Sequence, residues 1–210
     1  MKQAGRPFYG NRLAHARSKI NSLMPKGEML MKTLAKWTLE DYHRLVEAGL
    51  LADRRVELLQ GEIVQMAPEG PLHSYMTDGL ASYLRRQVAD RAIVREAHPI
   101  TLSDSEPEPD LAIVRLPRSQ YRDRHPYAED IFWLVEIANS TLEYDLNDKR
   151  KIYARARIPE YWVVDVKGKR VLIFRGPQGE SYQFNTALSE GNIAPLAFPD
   201  LVLSVEQLWQ

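Results

Sequence analysis

The chain has no cysteine among its 210 residues. A disulfide framework and a cysteine nucleophile are both excluded, and a reducing, cytoplasmic compartment is the expectation. No apolar run reaches membrane-spanning length, so no membrane partner is expected. The N-terminus is basic but lacks a long apolar segment, and it does not read as a signal peptide. A glycine-rich phosphate loop is missing, as is a Gly-x-Ser-x-Gly elbow, which removes P-loop chemistry and the common serine-hydrolase setting. His15, His43, His98 and His125 stand at spacings that suit no zinc site. Net charge is absent too: 28 Lys and Arg balance 28 Asp and Glu.

That balance hides an asymmetry. Residues 1–36 hold eight basic side chains and one acid, Glu28, which leaves the remainder acidic. A basic arm can hold nucleic-acid phosphates, dock on an acidic domain, or be a leader ahead of an internal start at Met24, Met29 or Met31. We expect residues 1–34 to form a peripheral or poorly ordered arm rather than a dedicated DNA arm. Residues 35–210 then form one domain. At 44% hydrophobic and 27% charged over the chain, that domain can bury a real core in an α/β (α+β) fold.

The domain is organised around residues 131–165. Residues 131–137 are apolar except for Glu136, a buried strand with one acid near its end. Asn139, Ser140 and Thr141 break the strand and cap a helix over 142–157. Asp145, Lys149 and Tyr153 recur every four residues and share one face of it. Pro159 stops the helix, and residues 161–165 begin the next strand. Upstream, Thr38 and Asp41 form a capping box, residues 55–66 read as two short strands about Gly61, and 73–89 as an amphipathic helix. Residues 92–102 read as a strand, and residues 110–114 as a short apolar strand opened by Asp110. A charged loop follows over 115–130, long for a mere connection. Residues 170–175 and 181–184 pair as a hairpin across 176–179.

Asp110 opens one apolar strand and Glu136 ends another. If those strands lie side by side, the two carboxylates reach one cation, and magnesium takes one or two carboxylates while keeping several waters. Such an ion orients a phosphodiester and supplies a hydroxide nucleophile. Lys149, on the following helix, reaches the same place and can neutralise phosphate charge. Strands often begin or end with acids, so a capped strand–helix unit with a surface salt bridge is an equally open reading at this point. His73, after a proline loop, and Arg118, Arg122 and Arg124 are candidate substrate contacts, with a helix cap and a solvated loop as the plainer alternatives. Asp145 either pairs with Lys149 or takes part in chemistry, and Tyr153 reads as packing.

Several motifs in order are more specific: Pro109-Asp110 with the acidic run before it, residues 121–126, residues 135–145, Lys149, Tyr153 and residues 158–165. With residues 37–42, 55–62 and 70–73 upstream, they resemble the Uma family (Uma-two), bacterial restriction endonucleases of the PD-(D/E)XK nuclease superfamily. The resemblance runs from about Trp37 to the C-terminus. It implies a restriction-endonuclease-like core, a mixed central β-sheet flanked by helices with acids at strand ends. Pro109-Asp110 takes the PD position and Glu136 the acidic position of (D/E)XK. Ala138 stands where the lysine is usual, and the resemblance moves that role to Lys149. Glu57 matches the N-terminal acid that often completes such sites, and Asn139 stands where relatives often have Asp.

The expected catalytic residues are thus Asp110, Glu136 and Lys149, and the expected metal ligands Asp110, Glu136 and Glu57 for Mg2+ or Mn2+. The expected function is a magnesium-dependent endonuclease acting on DNA, against a non-catalytic DNA-binding or assembly module on the same fold. Cutting both strands takes two sites or two visits, and the aromatic C-terminal half offers apolar surface, so a homodimer is expected.

Overall fold

The computed structural model describes residues 34–209. All but the last residue of the expected basic arm lies outside them. The folded unit begins at Lys36.

Thr38 caps α1 (Leu39–Glu47) as its sequence predicts: the hydroxyl accepts from Asp41 N, and the Asp41 carboxylate accepts from Thr38 N. Next come β1 (Val56–Leu59) and β2 (Glu62–Gln65), an antiparallel hairpin turned by Gln60 and Gly61, both at positive φ. A Cβ on Gly61 would meet Lys36 Cβ at 2.8 Å and Trp37 O at 2.9 Å, so glycine is needed there for space as well as for φ. The long helix α2 (Pro71–Val88) follows.

The main sheet has six strands in sequence order: β3 (Ile93–Glu96), β4 (Leu111–Val114), β5 (Ile131–Ala138), β6 (Glu160–Asp165), β7 (Arg170–Gln178) and β8 (Ser181–Leu188). All neighbours are antiparallel except β5 and β6, which are parallel. A parallel pair needs a crossover. Here it is α3 (Leu142–Tyr144), a π turn (Asp145–Lys149) and α4 (Arg150–Arg155). A two-stranded ribbon, β9 (Asn192–Ile193) with β10 (Leu203–Ser204), closes the fold.

Alternation along β5 decides the rest. Trp133, Val135 and Ile137 join the cluster that includes Met76, Leu80, Leu84 and Val88 of α2. Leu134 and Ala138 join the opposite cluster, with Ile152 and Tyr153 of α4. The result is helix, sheet, helix in three layers, and Glu136 falls on the α4 side.

Three expectations are corrected. The strand expected over 92–102 stops at Glu96: Ala97 has φ +47, and Pro99 lacks the N–H a ladder needs. The hairpin turns at Gly179 and Glu180, not over 176–179, because Pro177 and Gln178 pair with Tyr182 and Ser181 beyond the reach of β6. Within the helix expected over 142–157, the central five residues form a π turn, and the helix ends at Arg155.

Candidate active site

The carboxyl end of β5 and the start of β4 lie side by side, with Leu111 opposite Val135. This register sets Asp110 against Glu136 and Ile137. Ile137 N donates to Asp110 Oδ2 at 2.6 Å, and Asp110 N lies 3.5 Å from Glu136 Oε2. His73, in the first turn of α2, donates through Nε2 to Asp110 Oδ2 at 3.0 Å. That bond raises the His73 pKa, against the opposing effect of burial.

From the other side the crossover contributes Lys149, whose Nζ donates to Glu136 Oε1 at 3.0 Å and lies 3.7 Å from Glu57 Oε2. Tyr153, one turn on, donates its hydroxyl to the same Glu136 Oε1 at 2.8 Å. Glu57 also accepts from Glu108 N, and Tyr144 OH stands 3.4 Å from its Oε1. Glu57, Glu136, Asp145 and Lys149 are all buried, although charged residues are seldom fully buried unless paired.

These groups line one cavity of about 340 Å³. Six acids face it (Glu57, Glu69, Glu108, Asp110, Glu136 and Asp145) against two permanent cations, Arg55 and Lys149. Arg55 is already paired with Glu69. The electrostatic consequences follow. Burial pushes the Glu136 carboxyl well up, with Lys149 opposing and Asp110 adding repulsion. Burial likewise lifts Asp145 to about 6, and raises Glu108 with help from Glu57. Burial alone would lower the Lys149 pKa, but Glu136, Glu57, Asp145 and Asp110 together hold the ammonium above its ordinary value. The cavity is short of positive charge.

A hard divalent cation suits that donor set. Among the described residues Asp110 Oδ1 accepts no hydrogen bond, and Glu136 Oε2 has only the long contact with Asp110 N. No group of three His, Cys, Asp or Glu side chains is gathered tightly enough to form a cage among the described residues. The arrangement fits an ion that takes one or two carboxylates and keeps its waters, not an all-protein cage such as calcium or zinc prefers.

Of the residues singled out from sequence, Asp110, Glu136, Lys149, Glu57 and His73 come together here. The three arginines do not line this cavity. Arg122 and Arg124 line a different one, of about 620 Å³, and Arg118 is exposed on a short 3-10 turn, Arg118–Tyr121. Tyr153 is more than packing, since its hydroxyl fixes Glu136. Asp145 makes no direct pair with Lys149; its Oδ2 accepts from Thr141 Oγ1 at 2.6 Å. Sequence reasoning missed Glu108, Glu69, Arg55 and Tyr144. The four-residue repeat did place Tyr153 beside Lys149, which was the available signal. A more apolar groove of about 400 Å³, between α2 and the C-terminal 3-10 turn, has Asp78 as its sole charged residue and offers no such chemistry.

A mixed six-stranded sheet with helices on both faces, and acids where β4 begins and β5 ends, has the architecture of a restriction-endonuclease-like fold. The sequence matches the Uma2 family, described as "Putative restriction endonuclease", over residues 39–206, and the chain belongs to that family. A crystal structure of "a putative nuclease belonging to DUF820" from Anabaena variabilis ATCC 29413 is similar in fold, with a TM-score of 0.63 and 20% sequence identity. The match covers 82% of this chain and 97% of that one. No curated protein matches the sequence.

Proposed function

We propose that this protein is a metal-dependent endonuclease that hydrolyses DNA phosphodiester bonds at the cavity between β4, β5 and the crossover. The observation that carries the reading is the convergence of Asp110, Glu136 and Lys149 on one acidic cavity, with the Lys149 amine 3.0 Å from Glu136. A bare phosphodiester would be repelled by six acids, so the cavity favours a substrate that arrives with a cation.

Asp110 and Glu136 would hold Mg2+ or Mn2+, with Glu57 in the same cavity as a further carboxylate. Bound there, such an ion would activate water and offset charge on the phosphoryl oxygens. The chain's own groups do the positioning. Ile137 N and His73 fix Asp110, while Tyr153 and Lys149 fix Glu136. Lys149 also brings fixed positive charge to the one place where negative charge grows in the transition state. Arg118, Arg122 and Arg124 supply backbone contacts to DNA at a distance from the chemistry.

A non-catalytic DNA-binding or assembly module would not need a buried ammonium between two buried carboxylates, an arrangement that costs desolvation. The test is cleavage of supercoiled plasmid with Mg2+ or Mn2+. Nicked and linear DNA should appear with the natural protein and not with Asp110→Ala. Equal cleavage by both would reject this site, and DNA binding without cleavage by the natural protein would favour the module. Among the described residues no helix is long and apolar enough to cross a membrane.

A further inference from the structure

The second large cavity, about 620 Å³, lies between α1, β3 and the loop over residues 121–127. At its wall stands Arg95, on the edge strand β3. Among the described residues Arg95 donates no hydrogen bond and forms no ion pair, and its Nε is buried without a partner. Burial is the main influence on its guanidinium, drawing its pKa down from the ordinary value. A half-buried arginine without an acceptor is unusual, because a guanidinium carries five donors and never sheds its charge in a protein.

Its neighbours make the deficit larger. Arg95 and Arg124 both lie against the Tyr121 ring, at 5.8 and 5.5 Å from its centroid. Only Arg124 has a carboxylate, Asp130 at 2.5 Å. The buried acid in this cavity, Glu106, is already committed: its Oε2 accepts from His43 Nε2 at 2.7 Å and Thr101 Oγ1 at 2.8 Å. The remaining acids, Glu47 and Asp123, are exposed and form no ion pair among the described residues. Arg122 adds to the basic side of the wall, and His125, whose pKa burial holds below its ordinary value, adds a neutral imidazole.

We propose that this cavity is an anion site that takes a phosphate group, with Arg95 as its anchor and Arg122 and His125 beside it. A phosphate presents two or three oxygens to the planar fork of one guanidinium, which suits arginine better than lysine. The site's existence does not depend on the nuclease reading, but a DNA source for the phosphate does. That source has support from register. Arg95 pairs with Ala112, which pairs with Leu134, two residues before Glu136 on the same sheet face. Arg95 is thus two strands from Glu136, about 10 Å across the sheet. A few nucleotides of one strand span that distance.

The experiment uses the full chain, Arg95→Gln and Arg95→Lys, with matched thermal melts confirming the fold. Calorimetric titration with inorganic phosphate should show binding that weakens about tenfold or more in Arg95→Gln. Arg95→Lys should fall between the two. Identical phosphate titrations for the natural protein and Arg95→Gln, including no binding by either, overturn the proposal. A second arm measures fluorescence anisotropy of a labelled duplex in EDTA, where nothing is cut, across a salt series. If DNA is the source, the slope of log K against log salt falls by about 0.9 in Arg95→Gln. An unchanged slope beside a phosphate response assigns the site to a free phosphate or small phosphoester. Failure of the natural protein to cut plasmid would reject the nuclease reading and leave the phosphate result standing.

Discussion

A carboxylate as deeply buried as Glu136 costs free energy unless donors or positive charge meet it. Lys149 and Tyr153 both do, on the same oxygen. Lys149 is thus a structural partner of Glu136, and on the proposed reading it is a catalytic cation as well. Removing one member of a buried pair typically costs about 3–5 kcal/mol, while losing one transition-state stabiliser costs about 10²–10³ in rate. Lys149→Ala should then lower both the melting temperature and the cleavage rate at temperatures where it is still folded. Lys151, exposed two residues on, should tolerate alanine in both measurements. Equal cleavage by the two variants would reduce Lys149 to a structural charge. Asp110, Glu136 and Lys149 were readable because each sits at a predictable strand end or helix position. Tyr153 was not assigned its bond, because the same four-residue spacing serves packing and donation alike.

The crossover from β5 to β6 is the element that makes the site. Its five-residue π turn, Asp145–Lys149, widens the helix where both residues must face the cavity, and such turns recur at functional sites. Residue propensities predict a helix there, but nothing in them marks an extra residue in one turn. The burial the turn imposes has a consequence for pH. The Asp145 carboxyl titrates at about 6 in the folded chain, against an ordinary 3.8. A carboxyl with a raised folded pKa binds its proton more tightly when folded. Its contribution to stability is fully present below about 4 and is lost as pH rises through about 6. The metal-free natural protein should therefore lose melting temperature between those values relative to Asp145→Asn, whose curve lacks this component. Parallel melting curves for the two proteins in EDTA would show that Asp145 is not held in an unfavourable charged state.

At the scale of the whole molecule, the order of acids along the chain was legible, as was the flanked mixed sheet. The hairpin ends and the strand after residue 92 were misjudged, because Pro99 and Pro177 act through ladder partners that a sequence does not display. The resemblance to a nuclease family supplied Glu57; its burial and its approach to Lys149 come only from packing of the β1–β2 hairpin against the site. Cutting a duplex takes two sites or two visits, and α2 leaves Tyr75, on the wall of the apolar groove, 69% exposed. Exposed apolar patches of this kind mark association surfaces. We therefore expect a homodimer that uses this face. Light scattering at micromolar protein should give twice the 24.2 kDa chain mass, and Tyr75→Glu should give the single mass. A monomer in both would remove the dimer from the account.

The central claim is that Asp110 and Glu136 together make a cation site, and calorimetric titration with Mn2+ in the absence of DNA tests it most directly. The natural protein should bind one ion per chain. Glu136→Ala should bind none, while Lys149→Ala should bind at least as tightly as the natural protein, since it removes a competing positive charge. Unchanged binding by Glu136→Ala would contradict the account.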